Sequence, residues 1–120
     1  MSGSEQDRFE LFDIDVVVEK IEGNCTCEME VGYKAKLRSG TLSLPEEQGF
    51  CLYALQAAIP LLPAKQRPTA AADWMETDTR VACPDPHCRL IMRLDRVGRR
   101  SLRHDDVSSI PWEEVQEEED

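Results

Sequence analysis

The chain has 120 residues with 24 acids against 14 bases, and eight of those acids lie in residues 105–120, which carry no Lys or Arg. The first 104 residues therefore hold sixteen acids against fourteen bases, a nearly neutral body with no cationic face for phosphate, which excludes nucleic acid as an expected partner. No apolar run approaches the roughly 18 residues of a membrane helix and no basic segment followed by an apolar one opens the chain, so no membrane partner and a soluble, cytoplasmic protein are expected.

Residues 1–9 read as a disordered polar tail and residues 99–120 as a basic-then-acidic one, leaving residues 10–98 as a single domain. A core that small is marginal on apolar burial alone, so a metal, a bound ligand or an oligomer interface would support it.

Phe12, Ile14, Val16 and Val18 alternate with Asp13, Asp15 and Glu19 across "FDIDVVVE". That period of two, rich in β-branched residues, predicts a half-buried strand. "GNCTCEMEVG", Gly23 to Gly32, is a connector. A second strand follows, with Tyr33, Ala35 and Leu37 on one face and Lys34, Lys36 and Arg38 on the other, and Ser39-Gly40 turns the chain. Ser43-Leu44-Pro45-Glu46 fits a capping box, which predicts a helix running on through Ile59. Cys51, Leu55, Ala58 and Leu62 share its inward stripe, and Pro60 predicts a kink or an end. A connector with a short helical turn around Ala70 to Met75 is expected to be pinned to the body by Trp74. A hairpin, about Thr79 to Cys83 and Arg89 to Val97, closes the domain. The order β-β-α-β-β predicts an α+β fold, a small antiparallel sheet with one main helix on a face.

The chemistry-bearing residues are the cysteines. Cys25 and Cys27 lie in the first connector, Cys51 in the first turns of the helix, and Cys83 and Cys88 flank the Pro84-Asp85-Pro86 turn. An odd number of thiols in a reducing compartment argues against a disulfide framework and leaves buried thiols, metal ligands or reactive thiols. Four soft ligands would serve zinc or an iron–sulfur cluster, although C-x-C is awkward spacing for two ligands on one zinc. The competing reading is plain packing, because cysteine is among the most buried residue types. Asp85 is a turn former or a partner behind the thiols, and His87 is a candidate substitute ligand. Arg89, Arg93 and Arg96 are candidates for contact with an anion or an acidic partner, against the alternative of solvated arginines on a strand.

"GNCTCEMEVG", the "CLYA" of "GFCLYALQAAIPLL" and "CPDP" in that order resemble a family of small uncharacterised prokaryotic proteins, over about residues 14–97. The resemblance implies a shared fold and a shared thiol cluster of Cys25, Cys51 and Cys83, with Gly32, Pro84, Asp85 and Pro86 as accompanying turn residues. Cys27 and Cys88 stand as additions in this chain. Glu28 and Met29 replace a glycine and a histidine of the family pattern, so a site needing that histidine is not intact here. The extra thiols can complete a four-ligand set.

Three functions remain open. The first is a small accessory or binding module around the cysteine cluster, holding zinc or an iron–sulfur cluster and serving a protein partner or a second copy of itself. The second is an enzyme using one activated thiol, with Cys51 favoured by its place near a helix start. The third is a metal-free interaction module. A non-enzymatic role is the expectation, because no specific Cys-His-Asp arrangement supports catalysis, and any shared site rests on the sulfurs of Cys25, Cys51 and Cys83 converging at one end of the fold.

Overall fold

A computed structural model describes residues 6–77 and 79–117. Five antiparallel strands form one sheet: β1 (Arg8–Ile21), β2 (Lys34–Arg38), β3 (Thr41–Ser43), β4 (Arg80–Ala82) and β5 (Leu90–Arg103), in the spatial order β3-β2-β1-β5-β4. The long strands β1 and β5 are the spine, paired from Arg8↔Arg103 to Ile21↔Leu90 with irregularities at Asp13/Ile14 and Val18/Lys20. On the other side of β1, β2 pairs with Ile14↔Leu37 and Val16↔Ala35.

The fold class is α+β, as the strand periodicity required. Ile14, Val16, Val18, Ala35, Leu37, Leu90, Met92 and Leu94 alternate onto one face and are buried there. Against that face lies α1 (Leu52–Ala58), which continues through a 3-10 turn (Ile59–Leu61) into α2 (Leu62–Lys65). Ala54, Leu55, Ala58 and Leu62 from these helices join the sheet residues in one core. The opposite face is laced with ion pairs: Arg38 to Asp15 at 2.9 Å, Arg80 to Glu19 at 2.8 Å and Arg93 to Asp95 at 2.9 Å. An antiparallel sheet can leave one face to water in this way.

Five expectations need correction. The chain order is β-β-β-α-β-β instead of β-β-α-β-β, because Thr41–Ser43 returns from the Ser39-Gly40 turn to pair with β2 as a further strand. The capping box at Ser43 does not form: Ser43 ends β3, Glu47 has φ +61°, and α1 begins only at Leu52. Gln48 explains the loss. Its side-chain amide accepts from Lys34 N at 3.1 Å and donates to Lys34 O at 2.8 Å, so the segment is held along the edge of β2 instead of coiling. Trp74 is half exposed, and the buried anchor of the connector is Met75. Asp73 caps that turn by accepting from Met75 N at 2.8 Å, and the Lys65 ammonium, itself buried, donates to Met75 O at 2.6 Å and Thr79 Oγ1 at 2.9 Å. The two tail boundaries also shift. Strand β1 takes in Arg8 and Phe9, and β5 takes in Arg99 to Arg103, which pair with it. Residues 1–5 and 118–120 of the expected tails lie outside the described residues. After β5 the chain forms α3 (His104–Val107) and α4 (Trp112–Glu117). Among the described residues no helix is long and apolar enough to cross a membrane.

Candidate functional site

The site sits where β1 ends and β5 begins. Pro84-Asp85-Pro86 makes a tight turn: the Asp85 carboxylate accepts from His87 N at 2.9 Å, and Asp85 O accepts from Cys88 N at 3.1 Å. Cys83 N donates to Leu90 O at 2.9 Å, so the ladder of the hairpin closes directly behind the turn. Both cysteines at its base, Cys83 and Cys88, point into the body and are buried.

The connector from β1 lies along this turn. Glu22 N donates to Arg89 O at 3.1 Å, Gly23 N to Cys88 O at 3.0 Å and Asn24 N to His87 O at 2.9 Å. Gly23 is needed for that approach, because a Cβ there would stand 2.0 Å from His87 O and 2.8 Å from Cys88 O. The latch brings Cys25 and Cys27 beside Cys83 and Cys88. Cys51 arrives from the core side as the residue preceding α1, with its N–H on Met29 Sδ at 3.2 Å.

All five thiols therefore border one cavity of about 280 Å³, completed by Thr26, Tyr53, Pro84 and Asp85. The three sulfurs expected to converge, those of Cys25, Cys51 and Cys83, do so. Within the cavity the thiols fall into two sets. Cys27 Sγ donates to Cys51 Sγ at 2.9 Å, with Cys27 exposed and Cys51 buried. Cys25, Cys83 and Cys88 make up the other, with Cys25 and Cys83 both close enough to Cys88 to influence its proton.

The protons are distributed unevenly over these sets. The hydrogen bond to Cys51, with desolvation and neighbouring sulfurs behind it, pushes the Cys27 thiol up to about 11. Burial foremost, then the bond to Cys25, pushes Cys88 up to about 12. Cys25 goes the other way. Burial opposes ionisation there, but the Cys88 thiol and the N–H groups of Cys27 and Met29 together outweigh it and hold Cys25 below the ordinary thiol range. Cys27 and Cys88 thus hold their protons more firmly than a free thiol, and Cys25 less firmly.

Other expected site residues take different places. Cys51 precedes a helix of only seven residues instead of lying within its first turns, so the dipole argument for it lapses. His87 is exposed and is not among the residues bordering the cavity. The three candidate arginines do not form one anion-binding face. Arg89 donates to Glu22 O at 2.9 Å, Arg93 pairs with Asp95 and Glu19, and Arg96 bonds Glu76 at 2.7 Å and Lys65 O at 2.9 Å while lying 4.3 Å over the Phe12 ring. Their charge is spent on the body's own carboxylates and carbonyls. Among the described residues, no three His, Cys, Asp or Glu side chains form a group that could hold a metal ion. The 2.9 Å separation of Cys27 and Cys51 is also shorter than the about 3.8 Å between two thiolates on a tetrahedral zinc with 2.3 Å bonds.

Thr26, Tyr53 and Gly23 belong to the site and were missed in the sequence. Gly23 sits in a turn-rich stretch where a glycine needs no further reason, and Tyr53 is exposed on the helix beside Cys51.

The chain matches no protein family model, no curated protein and no solved structure. The family resemblance therefore rests on its motifs alone.

Proposed function

We propose that the chain is a small accessory module that works by thiol–disulfide exchange, with Cys27 and Cys51 as its redox couple. The observation that carries this reading is the 2.9 Å contact between an exposed and a buried sulfur at the mouth of a thiol-lined cavity. A disulfide bond is about 2.05 Å long, so closing the pair asks for a movement on the order of 1 Å. The exposed Cys27 gives a partner access, and the buried Cys51 resolves what forms there. In one full exchange two thiols become one disulfide, and an incoming disulfide leaves as two thiols.

A protein partner carrying the disulfide suits the surroundings. Val31, Leu52 and Tyr53 are each more than 60% exposed, and Leu52 and Tyr53 follow Cys51 directly. Such apolar groups on a surface are the kind that partner docking covers. We place the module in the cytoplasm, where reduced thiols are maintained.

A zinc or iron–sulfur centre held by the cavity's thiols after they move apart from their present spacing is the second reading, favoured by five sulfurs on one cavity. Protein purified without oxygen separates the two. Exchange chemistry predicts five titratable thiols and substoichiometric metal, falling by two thiols per couple in an oxidising glutathione buffer. One zinc, or several irons with acid-labile sulfide, per chain would move the conclusion to the metal site.

A further inference from the structure

We propose that the module docks its partner in a second groove beside the thiol cavity, and that the segment it takes is an apolar, positively charged stretch of peptide flanking the partner's disulfide. This inference rests on the exchange reading above and names the class of substrate for it.

The groove has a volume of about 580 Å³, within the range of about 300–1,000 Å³ that ligand clefts occupy. Cys27 and Cys51 border it as well as the thiol cavity, so the two spaces meet at the sulfur pair that carries the exchange. Its lining is mostly apolar. Met29 is buried, Tyr33 and Phe50 pack against the core, and Leu52 and Tyr53 stand more than 60% exposed at the surface. Gly49 leaves part of the lining bare, since a Cβ there would meet nothing within 4 Å. A peptide whose sulfur meets Cys27 can lay the side chain beside that sulfur in this groove.

The charge around the groove has one sign. Its lining comes from residues 27–33 and 49–53, and the longer stretches 22–33 and 44–62 contain five glutamates with no Lys or Arg. Glu28 lines the groove itself, and Glu30, Glu46 and Glu47 are exposed like it. Among the described residues none of these four enters an ion pair, in contrast to Asp15 and Glu19 on the far face of the sheet. Lys34, the next base along the chain, turns its ammonium to Asp15 at 3.7 Å. Apolar walls with unneutralised carboxylates beside them suit a large apolar side chain next to a cation, and the charge steers that segment in.

The docked step balances. The Cys27 thiolate attacks the partner's disulfide, and one partner sulfur leaves and takes up a proton. Cys51 then attacks the Cys27 sulfur, gives up its own proton and releases the second partner sulfur as a thiol. The partner's disulfide becomes two thiols, and the Cys27 and Cys51 thiols become one disulfide.

The test uses the reduced full chain and the symmetrical disulfides of three end-blocked peptides, Lys-Cys-Phe-Lys, Glu-Cys-Phe-Glu and Lys-Cys-Ser-Lys. Formation of Cys27–Cys51 is followed by acid quench and peptide mapping. Each rate is divided by that of the same peptide with dithiothreitol, which removes differences in intrinsic reactivity. Expected is a normalised rate for Lys-Cys-Phe-Lys about tenfold above each of the others. Its advantage over Glu-Cys-Phe-Glu should shrink at about 1 M salt, where the screening length is about 3 Å. Gly49→Trp fills the groove from a position with open space, and should remove the advantage over Lys-Cys-Ser-Lys. Glu28→Lys should remove the advantage over Glu-Cys-Phe-Glu. Equal normalised rates for the three peptides, with Cys27–Cys51 still forming, would overturn the docking groove and leave the exchange reading standing. Advantages that persist unchanged in both variants would overturn it as well. If the S-methylated Lys-Cys-Phe-Lys peptide shifts the NMR signals of Tyr33, Phe50 and Tyr53 but no peptide disulfide oxidises the chain, the groove stands and the exchange reading falls.

Discussion

Replacing Gly23 by alanine tests how the thiols are brought together. The added methyl would lie 2.0 Å from His87 O and 2.8 Å from Cys88 O, both backbone atoms that cannot rotate aside. Relieving that contact moves the connector off the turn by more than 1 Å, on the scale of ordinary carbon–oxygen contact, and breaks the bonds from Glu22, Gly23 and Asn24. At about 1 kcal/mol net for each backbone hydrogen bond, Gly23→Ala should cost roughly 2–3 kcal/mol. Backbone entropy acts in the opposite direction, since removing a glycine stabilises by about 0.4–1 kcal/mol where no clash intervenes. Steric conflict should win here. Gly40 is the control, because nothing lies within 4 Å of a Cβ placed there, and Gly40→Ala should be neutral or slightly stabilising. Urea unfolding followed by circular dichroism measures both. Equal stabilities for the two variants would refute the latch, and with it the account of why Cys25 and Cys27 face Cys83 and Cys88.

Three further outcomes follow from the packing and the charges. Leu90→Ala, at a fully buried position of β5, should lose about 2–5 kcal/mol in the same unfolding assay. Arg96→Lys should lose about 1–2 kcal/mol, because an ammonium cannot lie flat on Phe12 while forking to Glu76, Lys65 O and Arg67 O. Glu76 is held below the ordinary carboxylate range by the Thr69 hydroxyl and then by Arg96. Its folded value lies under its unfolded one, so its contribution is present above the unfolded value of about 4.3 and is lost as pH falls through the folded one. Glu76→Gln should flatten the acid limb of a stability–pH curve, and an unchanged limb would contradict the assignment.

The strands were legible in the sequence because burial on one face writes itself as a period of two. Ile14, Val16 and Val18, and again Leu90, Met92 and Leu94, fell on the face that the core occupies. The helix start was not legible. Ser43 and Glu46 carry the right local chemistry for a cap, but Gln48 finds the edge of β2 through a contact fourteen residues distant, and tertiary bonding overrides the local signal. Convergence of the cysteines could be expected from the two connectors meeting at one end of the sheet. The Cys27–Cys51 contact could not, since it depends on the Gly23 latch and on Cys51 standing before α1. The arginines illustrate the same limit: their positive charge reads as a surface patch until Glu19, Glu76 and Asp95 are found beside them.

The most direct measurement is the disulfide pattern of the chain at equilibrium with a graded series of reduced and oxidised dithiothreitol, trapped by alkylation and read from the linked peptides. The account predicts a Cys27–Cys51 bond that appears and disappears as one two-electron step and is absent in Cys51→Ser. A chain whose Cys27 and Cys51 stay separately alkylated at every poise, while other sulfurs oxidise, would contradict it.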